Sequence, residues 1–371
     1  MLIMTILACD LATGQTCYLF VGSYNFNKKK EGVYVYRFDT LTGQLEKVFS
    51  TKGIANPSFI TLSPDGKHLY ACTESLTKNA GSVSAFSIDS STGSLSFINS
   101  RPSGGENPVY LSVDKTNKWL VNANYTEGSV SVYPLSSDGS IDSATQVIPF
   151  EEGSINRVRQ QSAHIHSAVF SPSQDYLFLP DLGADKIRCC SFDHLNQHPL
   201  STTAHAFTKS VAGSGPRHFA FHPNGHFAYC IEEMGGAINA YAYKDGQLDS
   251  IQRIPAHLKE QNRDFSSADI HLSADGRFLY ASNRAKENNL AIFSVDANSG
   301  LLTLVAYQST LGDHPRNFTI DPTGKFLLVA NQFSGNVVVF KRDISTGLLT
   351  DTGIQISLPN PSCLQFRNYR N

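Results

Sequence analysis

Long apolar runs, paired cysteines and an excess of charge of either sign are all missing from this 371-residue sequence. No run approaches the roughly 20 consecutive apolar residues that a membrane-spanning helix needs. The seven cysteines form no Cys-x-x-Cys pair, so we expect neither a disulfide framework nor a zinc site. The formal net charge is −2 with both signs interspersed, which implies no nucleic-acid partner and no acidic membrane surface.

Helical periodicity and linkers are missing as well. No long stretch repeats its apolar residues with the 3.6-residue period of a helix. Short runs rich in Val, Ile, Tyr and Phe occur instead, bounded by Gly, Pro, Asn and Asp, which is typical of β-strands. Nothing between these runs resembles a linker, so we predict one large all-β domain over residues 17–371.

A short turn phrase returns six times, each time between two apolar runs. Its copies are Ser63-Pro-Asp-Gly66, Asp114-Lys-Thr-Asn117, Ser171-Pro-Ser-Gln174, His222-Pro-Asn-Gly225, Ser273-Ala-Asp-Gly276 and Asp321-Pro-Thr-Gly324. The spacing of 48 to 57 residues indicates a repeat architecture. Each repeat holds four strand signals, which in the first full copy are Asn56–Leu62, Lys67–Glu74, Ser82–Ile88 and Ser94–Asn99. Four short antiparallel strands per repeat are typical of a β-propeller blade.

The two ends of the chain give the number of blades. Three strand signals near the N-terminus, Tyr18–Tyr24, Gly32–Phe38 and Gln44–Phe49, lack a first strand before them. The C-terminal segment Asn360–Phe366 resembles Asn56–Leu62, the strand that opens the first full repeat. We predict that it pairs with Tyr18–Tyr24 and closes a ring of seven blades with no open edge.

The first residues resemble an export signal. Leu2 to Ala8 is apolar, and Ile6-Leu7-Ala8-Cys9 resembles a lipoprotein cleavage box. We therefore interpret residues 1–16 as a leader or a disordered N-terminus and favour a periplasmic or envelope location. The apolar stretch is short and follows no Lys or Arg, so a cytoplasmic location is the alternative.

Polar residues recur at two equivalent points of the repeats, the start of the first strand and the end of the second. Both points lie on the same face around the central channel, so we expect their side chains to converge at one mouth. The members at first strands are His164, His166, Arg217, His314 and Arg316; those at second strands are Glu74, Glu233 and Arg284, with Asp181 and Asn331 beside this column. Convergent polar groups in a concavity predict a binding site. The alternative is a water-filled channel in which these groups satisfy one another.

The sequence argues against a metal site and against a serine nucleophile at this mouth. His164-x-His166 has the spacing of two metal ligands on one strand, but Arg217 and Arg316 in the same column disfavour a cation. We predict no metal and no cofactor. The Gly-x-Ser-x-Gly elbow of serine hydrolases is absent, so an acyl-enzyme on serine is not expected.

Several motifs together carry a family resemblance. They are Ala163-His-Ile-His166, Gly215-Pro-Arg-His218, Ser282-Asn-Arg284, Pro315-Arg-Asn-Phe318 and Ala330-Asn-Gln332. From about Tyr18 to Phe366 the chain resembles the lactonase family of seven-bladed propellers, which contains propeller-type 6-phosphogluconolactonases and fungal carboxymuconate-lactonizing enzymes. The resemblance implies hydrolysis of a sugar lactone, with or without a phosphate group. The sequence is silent on oligomeric state, and a monomer is the default.

The resemblance also implies roles for individual residues. Functional positions carry over to His164 or His166, to Arg217, to Glu233, and to either Arg284 or Arg316. We expect His166, assisted by His164, to be the base that activates water, while Glu233 orients or shares the proton that is taken up. Arg217 would face the lactone carbonyl, and Arg284 and Arg316 would hold an anionic tail. The further predicted substrate contacts are Glu74, Asp181, His218, Asp269 and Asn331.

Two departures and two alternatives accompany this assignment. Glu232 stands where the family usually has Asn, and Asp269 stands where Glu is common, one methylene shorter. The same acid, base and Arg groups could serve a lactonizing cycloisomerase acting on a carboxylated muconate. A non-catalytic binding propeller is the other alternative, because a fold does not determine a function.

Overall fold

Seven four-stranded sheets account for all the regular structure in the computed structural model, which describes residues 15–77, 79–258 and 264–370, without the side chains of 203–206. Every strand pairing within these sheets is antiparallel. The predicted seven-bladed propeller of four strands per blade is confirmed. Within the described ranges no helix is long and apolar enough to cross a membrane.

Each blade runs from an innermost strand at the channel to an outermost strand at the rim. Blade 1 is β28 (Pro361–Arg370), β1 (Gln15–Ser23), β2 (Val33–Phe38) and β3 (Leu45–Thr51); blade 2 is β4 (Ile60–Leu62), β5 (His68–Thr73), β6 (Ser82–Ile88) and β7 (Leu95–Pro102); blade 3 is β8 (Pro108–Val113), β9 (Trp119–Asn124), β10 (Ser129–Pro134) and β11 (Gln146–Pro149). Blade 4 is β12 (Val169–Phe170), β13 (Tyr176–Asp181), β14 (Lys186–Phe192) and β15 (Leu200–Lys209); blade 5 is β16 (Pro216–Phe221), β17 (Phe227–Glu232), β18 (Ala237–Lys244) and β19 (Gln247–Pro255). Blade 6 is β20 (Ser267–Leu272), β21 (Phe278–Asn283), β22 (Asn289–Val295) and β23 (Leu302–Ser309); blade 7 is β24 (Pro315–Ile320), β25 (Phe326–Asn331), β26 (Asn336–Arg342) and β27 (Leu349–Ser357).

The six turn phrases join the first and second strands of blades 2 to 7. The last residue of each phrase has a φ between 58° and 75°, a region that glycine and asparagine enter at least cost. Gln174 is the exception in residue type, with a φ of 65°. The turn chemistry thus explains why the phrase recurs.

The ring closes where β28 pairs with β1, as predicted. Val21 lies opposite Leu364 and Tyr18 lies opposite Arg367, and the pairing continues to Gln15 opposite Arg370. The main-chain N–H of Leu364 also donates to Asn317 Oδ1 in blade 7, at 2.7 Å. The last strand therefore joins the first blade to the seventh. Residues 1–14, which include most of the predicted leader, lie outside the described residues.

The apolar core lies between neighbouring sheets. One cluster packs Phe20 of blade 1 against Leu69 and Phe86 of blade 2 and Leu120 of blade 3. The cysteines of the described ranges, Cys17, Cys72, Cys189, Cys190, Cys230 and Cys363, are all buried and unpaired. Cys9 lies outside those ranges. These thiols act as small apolar groups of the core.

A β-bulge at the start of the innermost strand positions the channel side chains. In blade 5, Pro216 pairs with Glu232 and His218 pairs with Ile231, which leaves Arg217 without an opposite residue. The same irregularity occurs after Pro108 in blade 3 and Pro315 in blade 7. A bulge re-aims a side chain, so consecutive residues can both face the channel. Strict alternation, on which the sequence prediction depended, does not hold at this point.

Candidate functional site

One mouth of the central channel opens into a cavity of about 220 Å³. Its lining consists of Glu74, Asn107, Val109, Tyr125, Arg159, His166, Glu233, Arg284 and Arg316. A second cavity of about 10 Å³, near the size of one water molecule, lies deeper and is lined in part by His166, Arg217 and His218. The structure thus brings together five of the sequence-predicted residues at the larger cavity.

Glu233 is the centre of charge in this site. Its Oε2 lies 2.9 Å from Arg217 Nε and 3.0 Å from Arg284 Nη2, and its Oε1 lies 2.6 Å from Arg159 Nη2. Burial alone would raise the pKa of Glu233, but the positive charges of Arg284 and Arg217 outweigh it and hold the pKa well below its ordinary value. Glu233 is therefore a carboxylate at any physiological pH.

His166 lies beside this carboxylate as a neutral imidazole. Its Nε2 is 4.0 Å from Glu233 Oε2, and its ring packs edge-on against Tyr125 with centroids 5.2 Å apart. Burial, followed by the positive charge of Arg217, lowers the pKa of His166 well below 6.5. Its Nδ1 is buried and has no hydrogen-bond partner among the described residues. The ring can therefore accept a proton at neutral pH.

His164 lies outside the cavity lining. Its ring stacks on Tyr125 at 4.6 Å, and its Nδ1 donates to the Tyr125 carbonyl oxygen at 2.8 Å. The segment that carries it passes close to Gly183, where an added Cβ would lie 1.8 Å from the Ser162 carbonyl oxygen. A glycine at 183 is needed for this approach. His164 thus holds Tyr125 against His166.

The predicted pair Arg284 and Arg316 have different environments. Arg284 donates to the carbonyl oxygens of Ser266 and Ser267, at 3.2 and 3.1 Å, in addition to its contact with Glu233. Arg316 lies over the Tyr24 ring and makes a longer ion pair of 3.6 Å with Glu74, and it lines both cavities. The donors of Arg284 are used by the protein, whereas Arg316 is held loosely and faces the cavity.

Arg217 does not line the larger cavity. Its side chain is buried beneath it and donates to the Ala268 carbonyl oxygen as well as to Glu233. Burial, with the nearby Arg284, lowers the pKa of Arg217 to about 9, so it stays charged at neutral pH. Its part in the site is to supply positive charge to Glu233 and His166 from below.

His218 and Asp269 form a second layer under His166. His218 Nδ1 lies 2.7 Å from Asp269 Oδ1, while Asp269 Oδ2 lies 2.9 Å from His271 Nε2 and accepts from Asn317 Nδ2 at 2.5 Å. The His218 ring meets the His166 ring edge-on, with centroids 5.3 Å apart. Both oxygens of Asp269 are therefore occupied by protein groups. The pair supports His166 and lies below the larger cavity.

Asp181 and Asn331, the last residues of β13 and β25, point away from the channel. Asp181 pairs with Arg188 at 2.9 Å and accepts the main-chain N–H of His164 at 2.8 Å. Asn331 donates to the Thr310 carbonyl oxygen at 2.9 Å. Successive side chains of a strand alternate between its two faces, so the neighbours of channel-facing residues tie the blade together. The structure thus places Asp181 and Asn331 outside the cavity.

Arg159 is the cavity-lining residue that the repeat pattern missed. It lies on the connection between β11 and β12, and its Nη2 is 3.2 Å from the Tyr125 hydroxyl. A connection carries no periodic strand signal. The spacing of 57 residues between Asn117 and Gln174, the longest of the five, was the available indication of an insertion at this mouth.

The donor set of the site suits an anionic organic ligand. Counting Arg217 beneath the cavity, four guanidinium groups face the two carboxylates of Glu74 and Glu233. Among the described ranges, no group of three or more His, Cys, Asp or Glu side chains is arranged to hold a metal ion. The arrangement can hold a negatively charged molecule beside a neutral imidazole and a carboxylate.

Known proteins resemble this chain over nearly its whole length. The profile of the family described as "Lactonase, 7-bladed beta-propeller" matches residues 18–366. A 6-phosphogluconolactonase of Formosa agariphila is 42% identical over 95% of this chain and 99% of its own, and one of Bacillus subtilis is 34% identical over 94% and 97%. The solved structure of the Pseudomonas aeruginosa periplasmic gluconolactonase PpgL has a TM-score of 0.90 and 35% identity, covering 95% of this chain and 99% of that one.

Proposed function

The chain belongs to the family of seven-bladed β-propeller lactonases, and we propose that it hydrolyses the ring ester of a sugar lactone. The observation that carries the proposal is the neutral His166 beside the Glu233 carboxylate, in a cavity lined by arginines. A cavity of about 220 Å³ is below the roughly 300–1,000 Å³ of drug-sized ligand sites, which suits a single sugar ring. The names of the curated relatives support this substrate class.

The reaction can be written with residues of this cavity alone. His166 takes a proton from water as the water oxygen bonds to the carbonyl carbon of the lactone. Negative charge develops on the carbonyl oxygen, and Arg316, which has donors facing the cavity, stabilises it. The bond to the ring oxygen then breaks, and His166 returns its proton to that oxygen. The products are a hydroxyl group and a carboxylic acid, which loses its proton to solvent at neutral pH.

Glu233, Arg217 and the layer below have supporting parts in this mechanism. The Glu233 carboxylate, 4.0 Å from His166 Nε2, stabilises the imidazolium that forms when water is deprotonated. Arg217 and Arg284 fix the carboxylate in place through its Oε2. His218, held by Asp269, fixes the edge of the His166 ring. Glu233 and Arg284 line the cavity, whereas Arg217 and His218 act from below it, and all four position the base.

A substrate panel tests the proposal. The purified protein is incubated separately with gluconolactone, with gluconolactone 6-phosphate and with a carboxylated muconate, and acid release is followed against ring closure. We expect acid release from at least one lactone above its spontaneous rate, and no ring closure of the muconate. Ring closure without lactone opening would instead identify a cycloisomerase. Inactivity on all three would favour a binding propeller.

We expect kcat/KM to stay level as the pH falls through 6.5, where an ordinary histidine becomes protonated. A general base must be unprotonated, and burial together with Arg217 lowers the pKa of His166 well below 6.5, so activity is lost only at lower pH. The check is a profile of kcat/KM from roughly pH 5 to 8, corrected for spontaneous lactone opening. A decline centred near 6.5 would contradict a desolvated, neutral His166.

We also propose that the protein acts in the periplasm or cell envelope. The leader-like residues 2–9 support this location, as does the likeness to a gluconolactonase described as periplasmic. Mass spectrometry of the mature N-terminus, with cell fractionation, tests it. We expect a mature chain that has lost at least the residues before Cys9 and is recovered with the envelope. An intact Met1 or Met4 in the soluble fraction would show cytoplasmic residence.

A further inference from the structure

Arg159 differs from the other guanidinium groups of the site in its exposure. Its side chain is 44% exposed, whereas those of Arg217, Arg284 and Arg316 are 1%, 7% and 17% exposed. An ion pair of such an exposed group is weak, because water competes with it and ions screen it. Glu233 also keeps Arg217 and Arg284 on its Oε2 when Arg159 leaves its Oε1. The contact between Arg159 and Glu233 can therefore be exchanged.

The turn that carries Arg159 is fixed even though the side chain is exposed. The main-chain N–H of Arg159 donates to Asn156 Oδ1 at 3.1 Å, and the N–H of Gln160 donates to the Asn156 carbonyl oxygen at 2.8 Å. The buried Gln160 side chain donates to the Leu182 carbonyl oxygen at 2.9 Å. A guanidinium on a fixed turn at the edge of the cavity can change partner by side-chain rotation alone.

The charges of the site call for a substrate with more than one negative charge. Four guanidinium groups meet two carboxylates, which leaves two positive charges unbalanced. A phosphate monoester carries a charge of about −1.5 to −2 at pH 7 and accepts bidentate hydrogen bonds from arginine. Arg217 and Arg284 are committed to protein partners, and Arg316 serves the lactone carbonyl in the proposed mechanism, so the exposed Arg159 is best placed to receive the phosphate.

We propose that Arg159 is the specificity-determining residue for a phosphorylated lactone, and that it moves from Glu233 Oε1 to the phosphate when the substrate binds. The inference rests on the proposed lactonase function and names the substrate class. The exchange has a second effect, because it removes one positive charge from Glu233, whose Oε2 lies 4.0 Å from His166 Nε2, so that the carboxylate stabilises the imidazolium more strongly. Binding of the remote phosphate thereby increases the rate of ring opening as well as affinity, so a substrate without phosphate loses kcat as well as binding.

The test compares a phosphorylated lactone with the same lactone lacking phosphate, and then supplies the missing anion as a separate molecule. For the wild type, Arg159→Ala, Arg159→Lys and Arg157→Ala, the ratio of kcat/KM for gluconolactone 6-phosphate to that for gluconolactone is measured. Gluconolactone alone is then assayed with increasing inorganic phosphite, a dianion that can occupy the phosphate position in trans. Arg157 is the matched control, since it is exposed on the same turn and lies outside the cavity lining. Circular dichroism and thermal unfolding confirm that each variant is folded.

We expect the wild type and Arg157→Ala to favour the phosphorylated lactone and to be activated saturably by phosphite. In Arg159→Ala the ratio should fall roughly 10- to 100-fold and phosphite activation should vanish, with Arg159→Lys between them. A folded Arg159→Ala that keeps the wild-type ratio, or a wild type that opens both lactones equally and ignores phosphite, would overturn the role of Arg159 and leave the lactonase function standing. A wild type that opens neither lactone would refute both.

Discussion

Replacing His166 with alanine should lower kcat and kcat/KM together, by about 10²–10⁴-fold on the lactone that the wild type prefers. The reason is that a general base acts in the transition state, so its removal leaves substrate binding nearly unchanged. His226→Ala is the matched control, because that histidine is exposed in the turn before β17, whereas Glu233 follows the other end of this strand. Stopped assays of acid release at saturating lactone give kcat directly. A folded His166→Ala with the wild-type kcat would show that another group takes the water proton.

Glu233→Gln tests the charge beside that base. The amide keeps the shape of the side chain but cannot compensate Arg217 or stabilise an imidazolium, so we expect a loss of kcat of at least the same order. Leaving a buried arginine without its anion should also cost roughly 3 kcal/mol of stability. Assays therefore belong well below the unfolding midpoint of the variant.

Glu232→Gln separates stability from catalysis. Glu232 is the adjacent buried carboxylate, and it pairs with Arg253 at 2.7 Å on the other face of the strand. We expect this variant to be destabilised while its kcat stays near that of the wild type. Equal losses of kcat in Glu232→Gln and Glu233→Gln would mean that the Glu233 effect is structural.

Deleting residues 361–371 should abolish cooperative folding. The deletion removes β28, exposes the edge of β1 and takes away Cys363 and Leu364 from the interior. It also removes the hydrogen bond from Leu364 to Asn317, which joins blade 1 to blade 7. We expect aggregation on expression, or a soluble fraction without a cooperative thermal transition by circular dichroism.

The control for this deletion is a chain that ends at Tyr369. Arg370 is exposed at the last pair of the β28–β1 ladder, so its loss should shift the thermal midpoint only slightly. A soluble 1–360 chain with native circular dichroism and an unchanged midpoint would show that the ring does not depend on its last strand.

The fold could be predicted from the sequence because a propeller repeats its signals locally. Each turn phrase marks the link between two strands, and the likeness of Asn360–Phe366 to Asn56–Leu62 was enough to predict the closure. The convergence of His166, Glu233, Arg284, Arg316 and Glu74 followed from equivalent positions in the repeats. None of these inferences required knowledge of a side-chain contact.

The depth of each residue in the site could not be predicted in the same way. A bulge depends on how two strands pair, and it turns Arg217 and His218 toward the channel together. A proline precedes the bulged residue in blades 3, 5 and 7, and since proline lacks an N–H for the ladder, it was a usable signal. The hydrogen bonds of Asp269 and the contact of Arg159 with Glu233 join different blades. Contacts between blades leave no periodic pattern in a single sequence.

The pairing of Gln15 with Arg370 has a practical consequence for surface attachment. Both residues lie at the end of the blade away from Ser23 and Pro361, and so on the face opposite the arginine-lined mouth. A bead, an electrode or a fusion partner joined at either position would leave that mouth open to solvent. Because the two positions are neighbours, a short peptide could also connect them in a circularly permuted chain. New termini could then be placed in an outer turn of another blade. Attachment at those termini would orient the mouth differently on the support.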